Sequence, residues 1–208
     1  MDEFEYLLAS NKLNFGKIVC KPRVSSGSRG VLVIDNKINF YEPVPDRYCA
    51  VGNKKSIFKY IQRNKLDLKN YLVTEYFGND VYDVDSYIVE GKVQYLVCRQ
   101  RQYVNPFSPI NEGCKIRINK EIEKLVKKVA LKLNITGILD LDVAIDVKGK
   151  PHIIDVSSRI SGSVACGIVA NLNIFEVIIN HVLFNKLLVQ KVKRDYVVRP
   201  VNMYCELI

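Results

Sequence analysis

Apolar and polar residues alternate between positions 137 and 147, which predicts a β-strand with one buried face. The apolar residues fall at every second position, at Leu141, Val143, Ile145 and Val147. The opposite face then carries Asp140, Asp142, Ala144 and Asp146. Residues 151–158 suit a second strand, and Lys148-Gly149 has the composition of the turn between them. We therefore predict a β-hairpin.

The register of this hairpin decides what its acidic residues can do. If Lys148-Gly149 forms the loop, Asp142 lies opposite Asp155 and Asp140 lies opposite Ser157. A four-residue loop gives the same register. Cβ atoms of cross-strand partners are about 5 Å apart, so two carboxylates there repel by about 3 kcal/mol at an effective dielectric of about 20.

A cation between Asp142 and Asp155 would relieve this repulsion. Mg²⁺ prefers hard oxygen ligands, binds through one or two carboxylates and takes its other ligands from water and phosphate. The pair is therefore a candidate magnesium site. From the hairpin alone, an exposed acidic face without a metal is an equally good interpretation, because a register change of one residue separates the two side chains.

A loop rich in small residues, 25–30, joins two apolar segments near the amino end. The segments, residues 18–20 and 31–34, have the composition of strands. Backbone N–H groups of such a loop can surround phosphate oxygens, and Lys21 and Arg29 add positive charge. The spacing is not that of a Walker A loop, and a strand follows instead of a helix. A flexible hairpin without a ligand is the alternative interpretation.

The remaining patterns predict an α+β fold. Helices are expected at about residues 2–10, 56–64, 118–133 and 165–185, with Ser56 as the N-cap of the second. Strands are expected at 71–77, 84–89, 93–99 and 196–207, and a surface loop at 105–113. Glu90-Gly91 is a favourable turn between two of these strands. Strand hairpins mixed with helices favour α+β over a doubly wound parallel sheet.

The composition is that of an ordinary globular protein. The chain has 208 residues, of which 48% are hydrophobic and 25% charged. The longest apolar tract, residues 167–184, is interrupted by asparagines, Glu176 and His181, which predicts a buried helix and not a membrane span. The acidic amino terminus is unlike a signal peptide. We expect a cytoplasmic protein with no membrane partner.

Cysteine, histidine and charge patterns suggest no further chemistry. The six cysteines lack Cys-x-x-Cys spacing, so reduced and packed thiols are expected, and His152 and His181 are expected to be structural. The 31 basic and 22 acidic residues give a net charge of +9. Because the basic residues are spread along amphipathic segments, they indicate solvated faces, and no nucleic-acid partner is predicted.

Three segments, in this order, resemble the ATP-grasp superfamily, in particular the ATP-binding domain of the carbamoyl-phosphate synthetase large chain and related carboxylate–amine ligases. The first is Lys21-Pro22 with the loop 25–31, which is similar to the family's strand lysine and phosphate-covering loop. The second, residues 73–85, resembles the segment that borders the adenine and the acidic strand after it. The third is Asp142 with residues 155–163, which are similar to the family's metal carboxylate and its acid-x-Asn-x-Arg signature.

The resemblance implies a site for ATP. Lys21, a catalytic candidate, would contact the α- and β-phosphates. The loop that would close over the β- and γ-phosphates consists of Ser25, Ser26, Gly27, Ser28, Arg29 and Gly30. The adenine would be bordered by Glu75 and by the backbone of Tyr76 and Phe77. Asp80 is the nearest candidate for the acid that holds the ribose.

The resemblance also implies a metal and a transferred phosphoryl group. Asp142, Asp155 and Ser157 would hold Mg²⁺ or Mn²⁺, and Arg159, the second catalytic candidate, would contact the phosphoryl group or an acyl phosphate. Ser157 stands where the family has Asn, and Asp155 stands where Glu is usual. Both changes shorten the reach of the ligand, so either water or Asp140 completes the site, or the site is weakened.

The implied architecture is a single ATP-grasp domain, residues 1–208, with two α+β lobes of antiparallel sheets that clasp ATP. The smaller lobe would span about residues 12–75 and the larger about 76–208. The amino-terminal domain usual in the family is expected to be absent. A partner domain or subunit supplying that part, and a homo-oligomer, are both compatible with this arrangement.

The implied function is a ligase that activates a small carboxylate or bicarbonate as an acyl phosphate for attack by an amine, with ADP and phosphate as products. A non-catalytic ATP-binding module, or one fragment of a split ligase, is the alternative. Arg99 and Arg101 alternate on the predicted strand at 93–99 and beyond it. Related enzymes aim a basic group from this region at the carboxylate, and an exposed pair on an edge strand is the other interpretation.

Overall fold

The computed structural model describes residues 16–25, 29–43, 47–102, 113–188, 190, 192 and 195–199. These residues form two compact units, one comprising the described chain up to Tyr76 and the other beginning at Phe77. Each unit has its own sheet and apolar core. The predicted helix at 2–10, the loop at 105–112, most of the closing strand and Cys205 lie outside the described residues.

The first unit contains a four-stranded sheet in the order β3-β2-β1-β4. Its strands are β1 (Lys17–Pro22), β2 (Leu32–Asp35), β3 (Ala50–Gly52) and β4 (Tyr71–Glu75). β1 is antiparallel to β2 and β4, as predicted. β2 and β3 are parallel, whereas only antiparallel pairing was predicted. The chain returns between the two strands to the end of the sheet where β2 begins.

Helix α1 (Lys54–Arg63) covers the first sheet. Its buried face consists of Ile57, Tyr60 and Ile61, which join the core that contains Cys20 and Leu32. The N-cap is Asn53 and not Ser56 as predicted, because the Asn53 side chain accepts the Ser56 amide at 3.0 Å. A short 3₁₀ turn (Leu68–Asn70) leads into β4.

The second unit contains a six-stranded antiparallel sheet in the order β10-β7-β6-β5-β8-β9. Its strands are β5 (Asp80–Val89), β6 (Lys92–Arg101), β7 (Cys114–Ile116), β8 (Gly137–Ile145), β9 (Pro151–Ser157) and β10 (Tyr196–Val198). Glu90-Gly91 joins β5 to β6 with positive φ at both residues, 48° and 72°, the geometry of a type I′ turn. A one-residue bulge at Gln94 then shifts the register and places Asp83 opposite Arg99.

The β8–β9 hairpin has the predicted pairing. Asp142 lies opposite Asp155, and Asp140 lies opposite Ser157. β9 is the edge strand of the sheet, so Asp155 is exposed. The two carboxylates therefore share one face, with Asp155 on the edge strand and the half-buried Asp142 on the strand beside it.

The loop of this hairpin differs from the prediction. The Asp146 amide donates to the Lys150 carbonyl at 3.0 Å, which leaves a three-residue loop, 147–149. Val147 is consequently 99% exposed instead of lying in the strand. The change in loop length moves the register by one residue, and a bulge at Ile154 moves it back.

Helix α2 (Lys120–Leu133) packs on one face of the second sheet. Ile122, Val126 and Ala130 are fully buried, and the lysines of the helix face outward as predicted. The helix begins two residues later than expected because Asn119 caps it. The Asn119 side chain accepts the amides of Glu121 and Ile122 at 3.1 Å.

The prediction of a single buried helix for the apolar tract at 167–184 is wrong. The tract forms two helices, α3 (Cys166–Val169) and α4 (Ile174–Phe184). Asn173 caps α4 by accepting the amide of Phe175 at 3.1 Å, so the chain breaks before it. Much of α4 is exposed, at Phe175, Ile179, Val182, Leu183 and Phe184. The described helices include none that is long and apolar enough to span a membrane.

The predicted α+β fold class is confirmed by the two sheets and their helices. The packing predicted for the thiols is confirmed as well, since the described cysteines are buried or, at Cys166, half-buried. His181 has a structural contact, because its Nδ1 lies 2.8 Å from the Tyr87 hydroxyl.

Candidate functional site

Three neighbouring strands place acidic and basic side chains on one face of the second sheet. β5 contributes Asp83 and Asp85, β6 contributes Arg99 and Arg101, and β8 contributes Asp140 and Asp142. The register brings them together, because Asp83 lies opposite both Arg99 and Asp142, and Asp85 lies opposite Asp140. We call these six residues, with Asp155 on β9, the polar face.

Arg99 is completely buried at the centre of the polar face. Its Nη2 contacts the Asp85 carboxylate, which is 1% exposed, and donates to Ser161 Oγ at 3.0 Å. Its Nη1 donates to the Ser163 hydroxyl. Arg99 therefore ties the segment after β9 to the middle of the sheet.

Arg101 bridges two carboxylates of the polar face. Its Nε donates to Asp83 Oδ1 at 2.9 Å, and its Nη2 donates to Asp142 Oδ2 at 2.9 Å. The interpretation of Arg99 and Arg101 as an exposed edge-strand pair is wrong, because β6 lies between β5 and β7. The edge position could not be judged from sequence, since the flanking strand β7 has only three residues.

The polar face has five carboxyl groups and two guanidinium groups, and this imbalance affects the carboxyl pKa values. Burial raises the pKa of Asp140 to about 7, and nearby Asp85 adds to the effect. Burial likewise raises the pKa of Asp142 to about 6, although Arg101 acts in the opposite direction. Burial also acts to raise the pKa of Asp83, but Arg101 holds it below its ordinary value. The two guanidinium groups thus do not balance the five carboxyl groups of the face.

Replacing Asp140 with Asn is expected to stabilise the fold at pH 8 by about 1–2 kcal/mol, after allowance for solvent screening. The folded-state pKa of Asp140, about 7, is above its unfolded value, so the wild type loses stability as the pH rises towards 7. The Asn variant avoids this loss, and its advantage should disappear near pH 4. Urea unfolding at the two pH values measures the difference. The exposed Asp195→Asn is the control, and destabilisation by Asp140→Asn at pH 8 would contradict the prediction.

Ser157 and Arg159 follow Asp155 in the chain. Ser157 Oγ accepts the amide of Arg159 at 3.3 Å, and Asp140 is its cross-strand partner. Arg159 is exposed, and its Nη1 donates to the Ile160 carbonyl at 3.1 Å. Its guanidinium therefore lies at the surface of the second unit.

Phe77 opens the second unit next to the β8–β9 hairpin. Its ring stacks on the His152 ring with centroids 4.0 Å apart and an angle of 6° between the planes. His152 Nε2 lies 2.8 Å from Asp146 Oδ2, and this pairing lowers the pKa of Asp146 to about 2. Asp80, the predicted ribose ligand, is exposed, and its Oδ1 accepts Gln100 Nε2 at 2.8 Å.

The other predicted nucleotide contacts belong to the first unit. Lys21 lies on β1, half-buried and paired with Leu72 of β4. Ser25 Oγ donates to the Arg29 carbonyl at 2.9 Å, which closes the base of the loop, while Ser26, Gly27 and Ser28 lie outside the described residues. Gly30 has a φ of +74°, and a Cβ there would lie 2.9 Å from Pro22 Cγ, so a glycine is required.

Glu75 and Tyr76 lie at the end of the first unit. Glu75 is the last residue of β4, is exposed and pairs with Ile18. Lys17 Nζ lies 4.0 Å from the centre of the Tyr76 ring, a cation–π contact. The Tyr76 amide donates to the Lys17 carbonyl at 3.2 Å, so this backbone group already has a partner.

A family model described as "ATP-grasp in the biosynthetic pathway with Ter operon" matches residues 67–204. The chain belongs to this ATP-grasp family. The match covers the polar face and the segment after β9. No curated protein matches the chain.

Solved structures show the same ATP-grasp fold. N5-carboxyaminoimidazole synthase from Aspergillus clavatus has a TM-score of 0.63 at 13% identity, over 92% of this chain and 48% of that one. The biotin carboxylase domain of 2-oxoglutarate carboxylase from Hydrogenobacter thermophilus has a TM-score of 0.58 at 12% identity, over 83% of this chain and 38% of that one. L-amino acid ligase from Bacillus licheniformis has a TM-score of 0.56 at 14% identity, over 88% of this chain and 42% of that one. The chain thus spans less than half the length of these three proteins.

The ATP-grasp fold implies a metal, and the donor set of the polar face suits Mg²⁺. The described residues contain no group of three or more acidic, His or Cys side chains that could hold an ion by themselves. Asp142 and Asp155 offer two neighbouring carboxylates, and Mg²⁺ uses one or two when phosphates and water supply its other ligands. Ser157 Oγ accepts one amide and has a second lone pair that could serve as a third ligand.

The sequence prediction left Asp83 and Asp85 without a role. Their alternation on β5, like that of Arg99 and Arg101 on β6, was a usable signal, because alternate charged residues share one face of a strand. The Glu90-Gly91 turn alone would pair Asp83 with Cys98, however. Only the bulge at Gln94 places the acid opposite Arg99.

Proposed function

We propose that the chain is the ATP-binding and phosphoryl-transferring part of a magnesium-dependent ligase that activates a carboxylate or bicarbonate. A carboxylate oxygen attacks the γ-phosphorus of ATP, and ADP leaves. The resulting acyl phosphate is attacked at its carbonyl carbon by an amine, which loses a proton while phosphate departs. Solved neighbours contain ADP with bicarbonate or with an aminoimidazole ribonucleotide, which supports this class of reaction.

The observation that carries the proposal is the cross-strand pair of Asp142 and Asp155 on a face with more carboxyl groups than guanidinium groups. These two residues would hold Mg²⁺, which when bound would neutralise charge on the β- and γ-phosphates. The residues proposed for the nucleotide itself are Lys21, the loop 25–30, Glu75, Tyr76, Phe77 and Asp80. Arg159 is proposed to contact the transferred group with its fixed pair of N–H donors.

Isothermal titration with ATP, with and without Mg²⁺, tests the proposal. We expect wild-type affinity for ATP to rise with Mg²⁺. Asp155→Ala should lose this rise but keep the metal-free affinity, since Asp155 is exposed and its removal leaves the core intact. ADP release is then screened over amino acids and bicarbonate. Absence of any magnesium-dependent ATP affinity in the wild type would exclude the proposal.

A non-catalytic ATP-binding module, or a fragment of a split ligase, is the second candidate. One observation favours it: Ser157, a shorter side chain, stands where the family signature has Asn. This candidate predicts magnesium-dependent ATP binding without ADP release for any carboxylate. The screen of ADP release therefore separates the two functions.

A further inference from the structure

We propose that Arg101 is a resident counter-ion of the metal site. It neutralises Asp142 while no metal is bound and gives up that contact when a divalent cation binds. The inference rests on the proposed function, because it takes Asp142 and Asp155 as the metal-binding carboxylates. Arg101 is thereby a positioning residue and not a catalytic one.

The contacts of Arg101 permit such an exchange. Both Nε and Nη2 contact Asp83 Oδ1, whereas Asp142 receives only the Nη2 bond of 2.9 Å. The Asp83 side chain is 8% exposed and that of Asp142 is 30% exposed. Asp83 is therefore the buried anchor, and Asp142 is the more accessible partner that Arg101 can release without leaving the sheet.

Electrostatics makes the exchange depend on the nucleotide. A guanidinium on Asp142 Oδ2 repels a second cation at the same carboxylate, so the metal alone should bind weakly. Phosphate oxygens add negative charge at that point and offset the repulsion. Arg101 would therefore keep Asp142 in place and delay metal binding until a triphosphate is present.

Two substitutions are expected to change metal affinity in opposite directions. Arg101→Gln removes the competing cation and leaves Asp83 and Asp142 uncompensated, so affinity for the metal alone should rise by roughly tenfold. Asp83→Asn removes the negative charge of the anchor, so that Asp142 becomes the only carboxylate that Arg101 contacts. The affinity for the metal alone should then fall several-fold. A purely structural role for Arg101 predicts no such opposition of sign.

The test is a titration of the full chain with Mn²⁺ in the absence of nucleotide, with free Mn²⁺ followed by electron paramagnetic resonance. The gain in Arg101→Gln should vanish in Arg101→Gln combined with Asp142→Asn. Unchanged or weaker Mn²⁺ binding by Arg101→Gln would overturn the inference. Should that variant fail to fold, the Asp83→Asn and Arg101→Gln double variant, which loses one charge of each sign, must also bind Mn²⁺ more tightly than the wild type.

Failure of this inference can be distinguished from failure of the proposed function. The Mn²⁺ titration contains no ATP, whereas the function is tested by magnesium-dependent ATP binding of the wild type. If Arg101→Gln gains Mn²⁺ affinity through Asp142 but the wild type shows no magnesium-dependent ATP binding, the function fails and the inference stands. If the wild type binds ATP in a magnesium-dependent way but Arg101→Gln gains no Mn²⁺ affinity, the inference fails and the proposed function stands.

Discussion

Replacing Arg99 with Met is expected to lower the free energy of unfolding by about 3–5 kcal/mol. Arg99 is fully buried, and its guanidinium contacts an Asp85 carboxylate that is also buried. Met has a comparable shape but leaves Asp85 without a cation, in surroundings where burial already raises the pKa of that carboxyl. It also removes the donor for Ser161 and Ser163. Urea unfolding monitored by circular dichroism at pH 7 gives the change.

Two variants show whether the loss comes from the unpaired acid. Adding Asp85→Asn to Arg99→Met removes the buried charge and should recover at least about half of the loss. Arg117→Met, at a half-buried arginine with a 3.1 Å bond to Gln100, should cost less than about 1 kcal/mol. An Arg99→Met protein as stable as Arg117→Met, or no recovery in the double variant, would contradict the explanation.

Replacing Asp142 with Asn is expected to reduce ADP release by at least about 100-fold. The amide keeps the size of the side chain but supplies neither the charge nor the bidentate oxygens that a divalent cation needs. Arg101 retains its two contacts with Asp83, so the fold should persist. The rate is measured by a coupled ADP assay, with the carboxylate and amine that give the highest wild-type turnover.

Asp195→Asn is the matched control for this loss. Asp195 is an exposed acid in the same unit, and its side chain lies 3.1 Å from Lys115 at the surface. Its replacement should leave turnover within about twofold of the wild type, since an exposed ion pair contributes little. Equal turnover in the two variants would remove Asp142 from the reaction.

The sequence predicted the hairpin pairing of the polar face correctly through two deviations that cancel. A two-residue loop was expected between β8 and β9, but the loop has three residues. The bulge at Ile154 compensates for the additional residue. Loop length follows from local turn chemistry, whereas a bulge depends on twist and packing of the sheet, which no short segment encodes.

The remaining polar contacts could not be predicted, because they join strands that are distant in the sequence. Asp83 meets Asp142 across β5 and β8, which are separated by β6, β7 and α2. The burial of Arg99 likewise depends on Ser161 and Ser163, which approach from the segment after β9. Alternating charges indicate a polar side on β5 and on β8. The sequence does not reveal that these two polar sides lie on one face of the same sheet.

The bulge at Ile154 determines which face of the sheet Asp155 lies on. If the same residues paired without the bulge, Asp142 would lie opposite Ile154, and Asp155 would pair with Leu141 and project from the reverse side of the sheet. Both acids would still be present in the sequence, yet they could not bind one ion together. In relatives of this chain, chelation by the two aspartates therefore depends on the loop length and the bulge taken together, and not on the presence of the two acids alone.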